Sequence, residues 1–337
     1  MKWAKSVGLW LIPVVIFYAI WRHLNLAVLK AHLELVNPWL VCVGLTFSPV
    51  LVFLAGVRWR GLLVPHLSHS IGLWFFLKHL WIGMSLGVTG TPLAGDVYRA
   101  IVAGRRVKRY RLNIFLILAE KIIMLLACAL LIVGLYPLLD LPLESEVHDI
   151  VRAAWIVGIL LLIGLAALAT GLFHFHDRAA TMITSNLNKM VRAARDKGWV
   201  SESLANDERP DHIVVTIRKL LAPSSLALNV SVSLTILLVA ALANQVFFWA
   251  ADYEIPFLAN LFVIPALYVI LNLPISVIAA RLGAYVLLYG AFGVDVETAL
   301  LVSFFSAAAV LVNYIIGGLL VLGDRLKRGR TPLVHNP

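Results

Sequence analysis

The chain alternates long apolar runs with short polar links, and this pattern predicts membrane-spanning helices. Six runs approach or exceed the ~18 residues that a helix needs to cross a bilayer. They are Ser6–Trp21, Pro38–Val57, Arg111–Tyr136, Ile150–Phe173, Pro223–Ala250 and Val296–Leu322. The predicted fold class is all-α, a polytopic integral membrane protein with about six full transmembrane helices plus two broken or re-entrant hairpins.

The two hairpins are predicted from apolar regions that are interrupted and have both ends on one side. Ile71–Gly104 breaks at Gly87–Gly95 and resumes with a predicted short helix over Asp96–Gly104. With 34 residues, it falls short of the roughly 40 that two full crossings need, which favours a half-crossing hairpin. Pro256–Val294 is interrupted at Asn272-Leu273-Pro274 and fits either a second re-entrant hairpin or two short spans. Paired broken helices indicate the binding site of a transporter.

The basic residues set the predicted orientation, because cytoplasmic links carry an excess of Lys and Arg. The links assigned to the cytoplasm are Lys2/Lys5, Arg58/Arg60, Arg105–Arg111, the polar segment 174–222 and the basic tail 323–337. The links assigned to the outside are Arg22–Asn37, Pro137–Asp149 and Ala251–Glu254. Both termini are therefore expected in the cytoplasm, with the protein in a cell inner membrane.

Composition agrees with this class. Hydrophobic residues make up 61% of the chain and charged residues 14%, whereas a soluble domain carries about a quarter charged residues. The net charge is +10. The basic residues that produce it lie mainly in a few links, so they indicate membrane topology rather than nucleic-acid binding. Cys42 and Cys128 lie in apolar runs and offer neither a disulfide framework nor a metal site. The apolar N-terminus lacks a cleavage pattern and is expected to stay as the first span.

One long polar segment, 174–222, interrupts a chain that otherwise predicts a single membrane domain over 1–337. Ile183, Leu187, Met190 and Ala194 follow helical spacing. This spacing suits an amphipathic helix on the cytoplasmic membrane surface. A partly ordered loop, above all across Ser201–His212, is the alternative.

The candidate site lies between Gly87 and Lys121, where charges interrupt apolar sequence. Asp96 and Arg99 are three residues apart and share a helix face. Gly95 would let the backbone turn, and a helix N-terminus beside an arginine suits a phosphate. The structural alternative is that Asp96 caps the helix and Arg99 reaches to the inner membrane surface. Charges at membrane depth are costly and tend to mark function.

Glu120 and Lys121 are adjacent, so they point to different faces of their helix and need separate partners. We predict that Glu120 pairs with Arg99; a purely structural interhelical pair is the alternative to a functional one. Lys78 and His79 are predicted to face water or lipid headgroups. The polar residues expected only to hold helices together are Asn244, Gln245, Asn272 and Asn313.

Enzyme motifs are absent from the sequence. It contains no G-x-S-x-G, H-E-x-x-H or P-loop motif and no paired-carboxylate metal cluster. We therefore predict no catalytic residue, metal or cofactor, and expect that the protein is not an enzyme.

The charged stretch resembles the membrane region of lysylphosphatidylglycerol synthase, also called the flippase-like domain family. The likeness rests on Pro92, Gly95-Asp96-x-x-Arg99, the basic loop that follows, and Ala119-Glu120-Lys121, where Lys121 replaces the family's arginine. Leu273-Pro274-Ile275-Ser276 is a weaker match. The family's second hairpin usually ends in arginine–glutamate, whereas here Arg281 has no following carboxylate. The chain stops at Pro337 without the family's aminoacyl-transferase domain, so we expect no lipid aminoacylation by this chain alone.

The resemblance implies movement of a phospholipid or lipid-linked sugar between leaflets. Combined with the charge pattern, it predicts that the headgroup is bound by Gly95, Asp96, Arg99, Glu120 and Lys121. The alternative is a non-transporting membrane subunit that partners a glycosyltransferase or another lipid-modifying enzyme. Nucleic acid is not an expected partner.

Overall fold

A computed structural model describes residues 18, 22, 24–67, 70–87, 92–139, 145–174, 182–183, 185–189, 192, 211–271 and 277–329. Most of the predicted first span Ser6–Trp21 and the break at Asn272-Leu273-Pro274 lie outside these residues. So do Met190, Ala194, positions 201–210 and the end of the tail, 330–337.

The described chain is built from helices, with no strand among the described residues. In chain order these are α1 (Leu26–Leu35), α2 (Pro38–Leu63), α3 (Leu73–Gly87), α4 (Pro92–Val107), α5 (Tyr110–Leu135), α6 (Ser145–His174), α7 (Asp211–Leu221), α8 (Pro223–Ala250), α9 (Phe257–Leu271), α10 (Val277–Gly290) and α11 (Val296–Gly329). Two 3₁₀ turns, Val64–His66 and Tyr136–Leu138, extend α2 and α5. The predicted all-α class is confirmed.

Five described helices are long and apolar enough to cross a membrane: α2, α5, α6, α8 and α11. Each corresponds to one of the six predicted spans, and the sixth prediction is the N-terminal run that lies largely outside the described residues. The protein is therefore a multi-pass membrane protein. The end of one span differs from its prediction: α2 continues past Val57 to Leu63. Arg58 thus lies inside a helix and not in a link, while its side of the membrane stays a prediction.

The two interrupted regions form pairs of short helices. Helices α3 and α4 have 15 and 16 residues, and α9 and α10 have 15 and 14. At about 1.5 Å per residue they are roughly 21–24 Å long, shorter than the ~30 Å hydrocarbon core of a bilayer. These lengths agree with the predicted hairpins.

The chain divides into two compact units that both draw on the five long helices. Unit 1 comprises Met1–Ser48, Met124–Ala166 and Ser233–Ala309. Its core packs aromatic rings from α8, α9 and α10, with Phe248 edge-on to Tyr289 at 4.8 Å between ring centroids. Helix α1, which the sequence did not predict, joins this unit because the Glu297 carboxylate accepts a hydrogen bond from the Asn25 backbone N–H at 2.6 Å.

Unit 2 comprises Pro49–Ile123, Ala167–Val232 and Val310–Pro337. Its core gathers around Trp59, which is 1% exposed and lies edge-on to Phe76 at 5.0 Å. Helix α3 packs on α11, where the Trp81 indole N–H donates to the Asn313 side chain at 3.0 Å. Gly317 allows this approach, since a Cβ there would overlap the Trp81 carbonyl.

The polar segment after α6 is helical where the structure describes it. Leu187 is buried against Ile217 of α7, while Lys189 is exposed. This arrangement supports the predicted amphipathic helix for residues 182–183 and 185–189. The alternative of a loop is wrong for Asp211 and His212, which begin α7. The position of this segment at a membrane surface stays a prediction.

Candidate functional site

The candidate site is built on the first hairpin, whose second helix starts earlier than predicted. Helix α4 begins at Pro92 and not at Asp96. Proline favours the first helical position because its φ angle is already helical and it has no N–H to satisfy. Asp96 is therefore the fifth residue of the helix, so it neither caps the helix nor marks its free N-terminus.

Gly95 serves the packing of the two hairpin helices. A Cβ on Gly95 would lie 2.5 Å from the Gly83 carbonyl oxygen of α3, and a Cβ on Gly83 would lie 3.1 Å from the Gly95 carbonyl. Small residues allow this close backbone approach between membrane helices. The predicted turn at Gly95 is wrong, because the residue lies within a helix; its role in ligand binding stays a prediction.

Four of the predicted site residues meet in one ion-pair network that also contains Arg58. Glu120 is the centre: its carboxylate contacts Arg99 at 2.6 Å and Arg58 at 2.8 Å. Arg99 also contacts Asp96 at 3.3 Å, and Asp96 accepts a second ion pair from Lys121 at 2.9 Å. The predicted pairing of Glu120 with Arg99 is confirmed. We call Arg58, Asp96, Arg99, Glu120 and Lys121 the charged network.

The charged network runs from a buried end to a more open one. The exposed fraction of the side chain is 9% at Glu120, 18% at Asp96 and 37% at Lys121. Lys121 is the most exposed of these three side chains. Counted over these five residues alone, the network has three cations and two carboxylates, an excess of one positive charge.

Trp59 supports the buried end of the network. The Arg99 guanidinium lies over the Trp59 ring, 4.5 Å from its centroid. A cation–π contact of this kind is stronger when the pair is removed from water. Arg99 is thereby held by a carboxylate on one side and an aromatic face on the other.

Arg58 is the member of the network that sequence reasoning missed. The positive-inside rule assigned Arg58 and Arg60 to a cytoplasmic link. A signal was present, because Gly61–Val64 continues the apolar run after these arginines. An apolar sequence on both sides of a basic residue indicates that the helix continues through it.

Lys78 and His79 differ from their prediction, since both have protein partners. Lys78 forms an ion pair with Asp324 of α11 at 2.7 Å. The His79 ring and the Tyr98 hydroxyl are hydrogen bonded at 2.8 Å, which links α3 to α4. Their side chains are partly buried, so they help to hold the hairpin within unit 2.

The polar residues of the spans connect helices as predicted, where the structure describes them. Asn244 of α8 donates to Asn260 of α9 at 3.0 Å and also contacts the Tyr289 hydroxyl of α10. Gln245 donates to the Ile255 carbonyl at 3.0 Å. Within the described part of the chain, no group of three His, Cys, Asp or Glu side chains is placed to hold a metal ion.

Fold and site together define a multi-pass α-helical membrane protein with a buried ion-pair network that joins the first hairpin to α2 and α5. The chain belongs to the family of the lysylphosphatidylglycerol synthase TM region, whose sequence profile matches residues 6–318. This confirms the resemblance seen in the sequence and relates the protein to lipid modification or flippase activity. Comparisons with curated proteins and with solved structures found no match.

Proposed function

We propose that the protein is a membrane translocase for a phospholipid or lipid-linked sugar, and that the charged network binds the phosphate of the headgroup. The observation that carries this proposal is the single excess positive charge of the network, with Arg99 and Lys121 as its phosphate-binding groups. Arginine presents a planar fork that matches phosphate oxygens, and lysine adds a point charge.

The structure of the network supports exchange with an anion. Asp96 bridges Arg99 and the more exposed Lys121, so a phosphate that approaches Lys121 competes with one carboxylate for two cations. Glu120 contacts both Arg58 and Arg99 at the buried end, and in this proposal these contacts stay in place while the phosphate binds. The acyl or prenyl chains would remain among the apolar helix surfaces while the headgroup is bound.

The proposal places the protein in a cell inner membrane with both termini in the cytoplasm, where lipid precursors are made. A partner glycosyltransferase or other lipid-modifying enzyme would supply or consume the lipid. Loop charges support this orientation, because the basic residues Arg105–Arg111 follow the first hairpin.

Orientation is tested by single-cysteine labelling in a background without Cys42 and Cys128. We expect Arg106→Cys to react only from the cytoplasmic side and Glu144→Cys only from outside, each assayed with a membrane-impermeant maleimide on intact cells and inverted vesicles. Arg106 is exposed, so its thiol would be accessible. Labelling of both positions from one side contradicts the hairpin assignment.

Transport is tested by reconstituting the purified protein into vesicles. Fluorescent phosphatidylglycerol and polyprenyl-phosphate probes report transfer between leaflets when an impermeant quencher is added outside. We expect faster transfer of at least one phosphate-bearing probe than in protein-free vesicles. Equal rates with and without protein for every probe would contradict the translocase and favour the non-transporting subunit.

A further inference from the structure

The first hairpin carries a histidine that the charged network does not include. His79 lies in the middle of α3 and is partly buried in unit 2. Its ring and the Tyr98 hydroxyl of α4 are hydrogen bonded at 2.8 Å. Histidine is the side chain whose charge ordinarily changes between about pH 5 and 8. An ionisable residue at membrane depth is by default a candidate for function.

His79 lies next to the charged network along both helices of the hairpin. On α4, its partner Tyr98 directly precedes Arg99. On α3, Gly83 is one helical turn after His79, and a Cβ at Gly83 would lie 3.5 Å from the Arg99 side chain. Arg99 therefore passes α3 about one turn, ~5.4 Å, from the position of His79. A charge on the imidazole would act on the network at short range.

Aromatic packing holds the imidazole beside the network. The His79 ring lies edge-on to the Phe75 ring, at 4.6 Å between centroids. Phe75 in turn contacts Trp59, the ring that supports the Arg99 guanidinium. The histidine and the phosphate-binding arginine thus share one packed cluster.

The charges that surround His79 leave it one proton short of an excess positive charge. Lys78 of its own helix and Asp324 of α11 act on the ring electrostatically, and they form an ion pair with each other at 2.7 Å. Tyr98 is the titratable group that α4 presents to the ring. A proton on His79 would place two cations beside the Asp324 carboxylate, close to a network that already has one excess positive charge.

The hydrogen bond to Tyr98 is compatible with both charge states of His79. A neutral imidazole has one donor and one acceptor nitrogen, and a protonated ring donates from both, with the Tyr98 oxygen as acceptor. Proton binding therefore changes the charge of the hairpin without removing the contact between α3 and α4.

We propose that His79 binds a proton together with the lipid phosphate, so that lipid transfer by the charged network is coupled to protons. This inference rests on the proposed function and names the coupling ion of that same site. An anion bound by Arg99 and Lys121 cancels the excess positive charge of the network, and this removes repulsion that opposes a proton on His79. By reciprocity, a proton on His79 strengthens binding of the anion by the same factor.

The first test is the pH dependence of phosphatidylglycerol transfer in reconstituted vesicles. Wild-type transfer should rise at least roughly tenfold from about pH 8 to about pH 5. His79→Gln, whose amide can still bond Tyr98, should lose this dependence. His174→Gln, an exposed histidine at the end of α6 in the same unit, is the matched control and should keep the wild-type profile. Thermal unfolding scans at both pH values separate the effect from loss of fold.

The second test follows the proton itself. Vesicles with a trapped pH-sensitive dye are placed in a more acidic buffer, with phosphatidylglycerol or only phosphatidylcholine as the lipid. Wild-type protein should acidify the lumen faster when phosphatidylglycerol is present, and His79→Gln should not. If His79→Gln fails to fold, Asp324→Asn takes its place. It removes the carboxylate that attracts a proton to the ring, so the pH midpoint of transfer should move to lower pH.

The outcomes separate the proton site from the proposed function. Transfer with the same pH profile in wild type and His79→Gln would overturn the proton site and leave the proposed function standing. An unchanged midpoint in Asp324→Asn, or transfer without lipid-dependent acidification, would overturn it as well. Absence of wild-type transfer at every pH would instead refute the proposed function.

Discussion

Replacing Glu120 with Gln is expected to destabilise the protein by about 3–5 kcal/mol, because it breaks a buried ion-pair system by removing its central charge. Glu120 is the shared carboxylate of Arg58 and Arg99, with N···O distances of 2.8 and 2.6 Å. The substitution keeps the size of the side chain and leaves three cations with one carboxylate. The excess positive charge of the network rises from one to two.

The measurement is thermal unfolding of the purified protein in detergent, together with the yield from membranes. Glu34→Gln is the matched control, since Glu34 is exposed and lies 3.9 Å from Lys30; its effect should stay within about 1 kcal/mol. A second change, Arg58→Gln in the Glu120→Gln background, restores one excess charge and should recover part of the stability. If Glu120→Gln melts at the wild-type temperature, the network does not hold the unit together.

Replacing Arg99 with Met is expected to have the opposite profile, with little loss of stability and a large loss of transport. Without Arg99, Glu120 keeps Arg58 and Asp96 keeps Lys121. Two cations then face two carboxylates, so no buried acid is left without a cation. Methionine also preserves apolar contact with the Trp59 ring.

Transport falls in this variant because the network becomes neutral and loses its guanidinium fork. Hydrogen bonds to charged groups contribute about 1.5–3 kcal/mol, which corresponds to a roughly tenfold to hundredfold slower transfer at constant protein amount. A thermal unfolding scan on the same preparation separates this loss from unfolding. Severe destabilisation of Arg99→Met, comparable with that of Glu120→Gln, would make Arg99 a structural residue and contradict its assignment to the headgroup site.

Much of the fold could be predicted from the sequence, because a membrane span depends on local composition. The predicted span Pro223–Ala250 coincides with α8, and Arg111–Tyr136 differs from α5 by one residue at each end. Both interrupted regions were recognised from breaks in apolar sequence with both ends assigned to one side, and length added support for Ile71–Gly104. Helix α1 was not predicted, because its ten residues are too few for a span and its apolar residues are mixed with charged ones.

The site could be predicted only in part, since its contacts depend on packing between helices. The pairing of Arg99 with Glu120 followed from the requirement that each buried charge needs a partner. That requirement does not say how many partners a carboxylate has, and the contact with Arg58 joins residues 62 positions apart. The close approach of Gly83 and Gly95 is likewise a property of two helices together.

The most direct test of the account compares phosphatidylglycerol transfer by wild-type protein, Arg99→Met and Arg106→Met, reconstituted at equal amounts in identical vesicles. Arg106 lies seven residues further along the same helix and is exposed, so the control removes the same charge outside the network. We expect transfer by the wild type and by Arg106→Met, and a rate at least roughly tenfold lower for a folded Arg99→Met. Equal transfer by all three proteins would contradict the assignment of the charged network as the headgroup site.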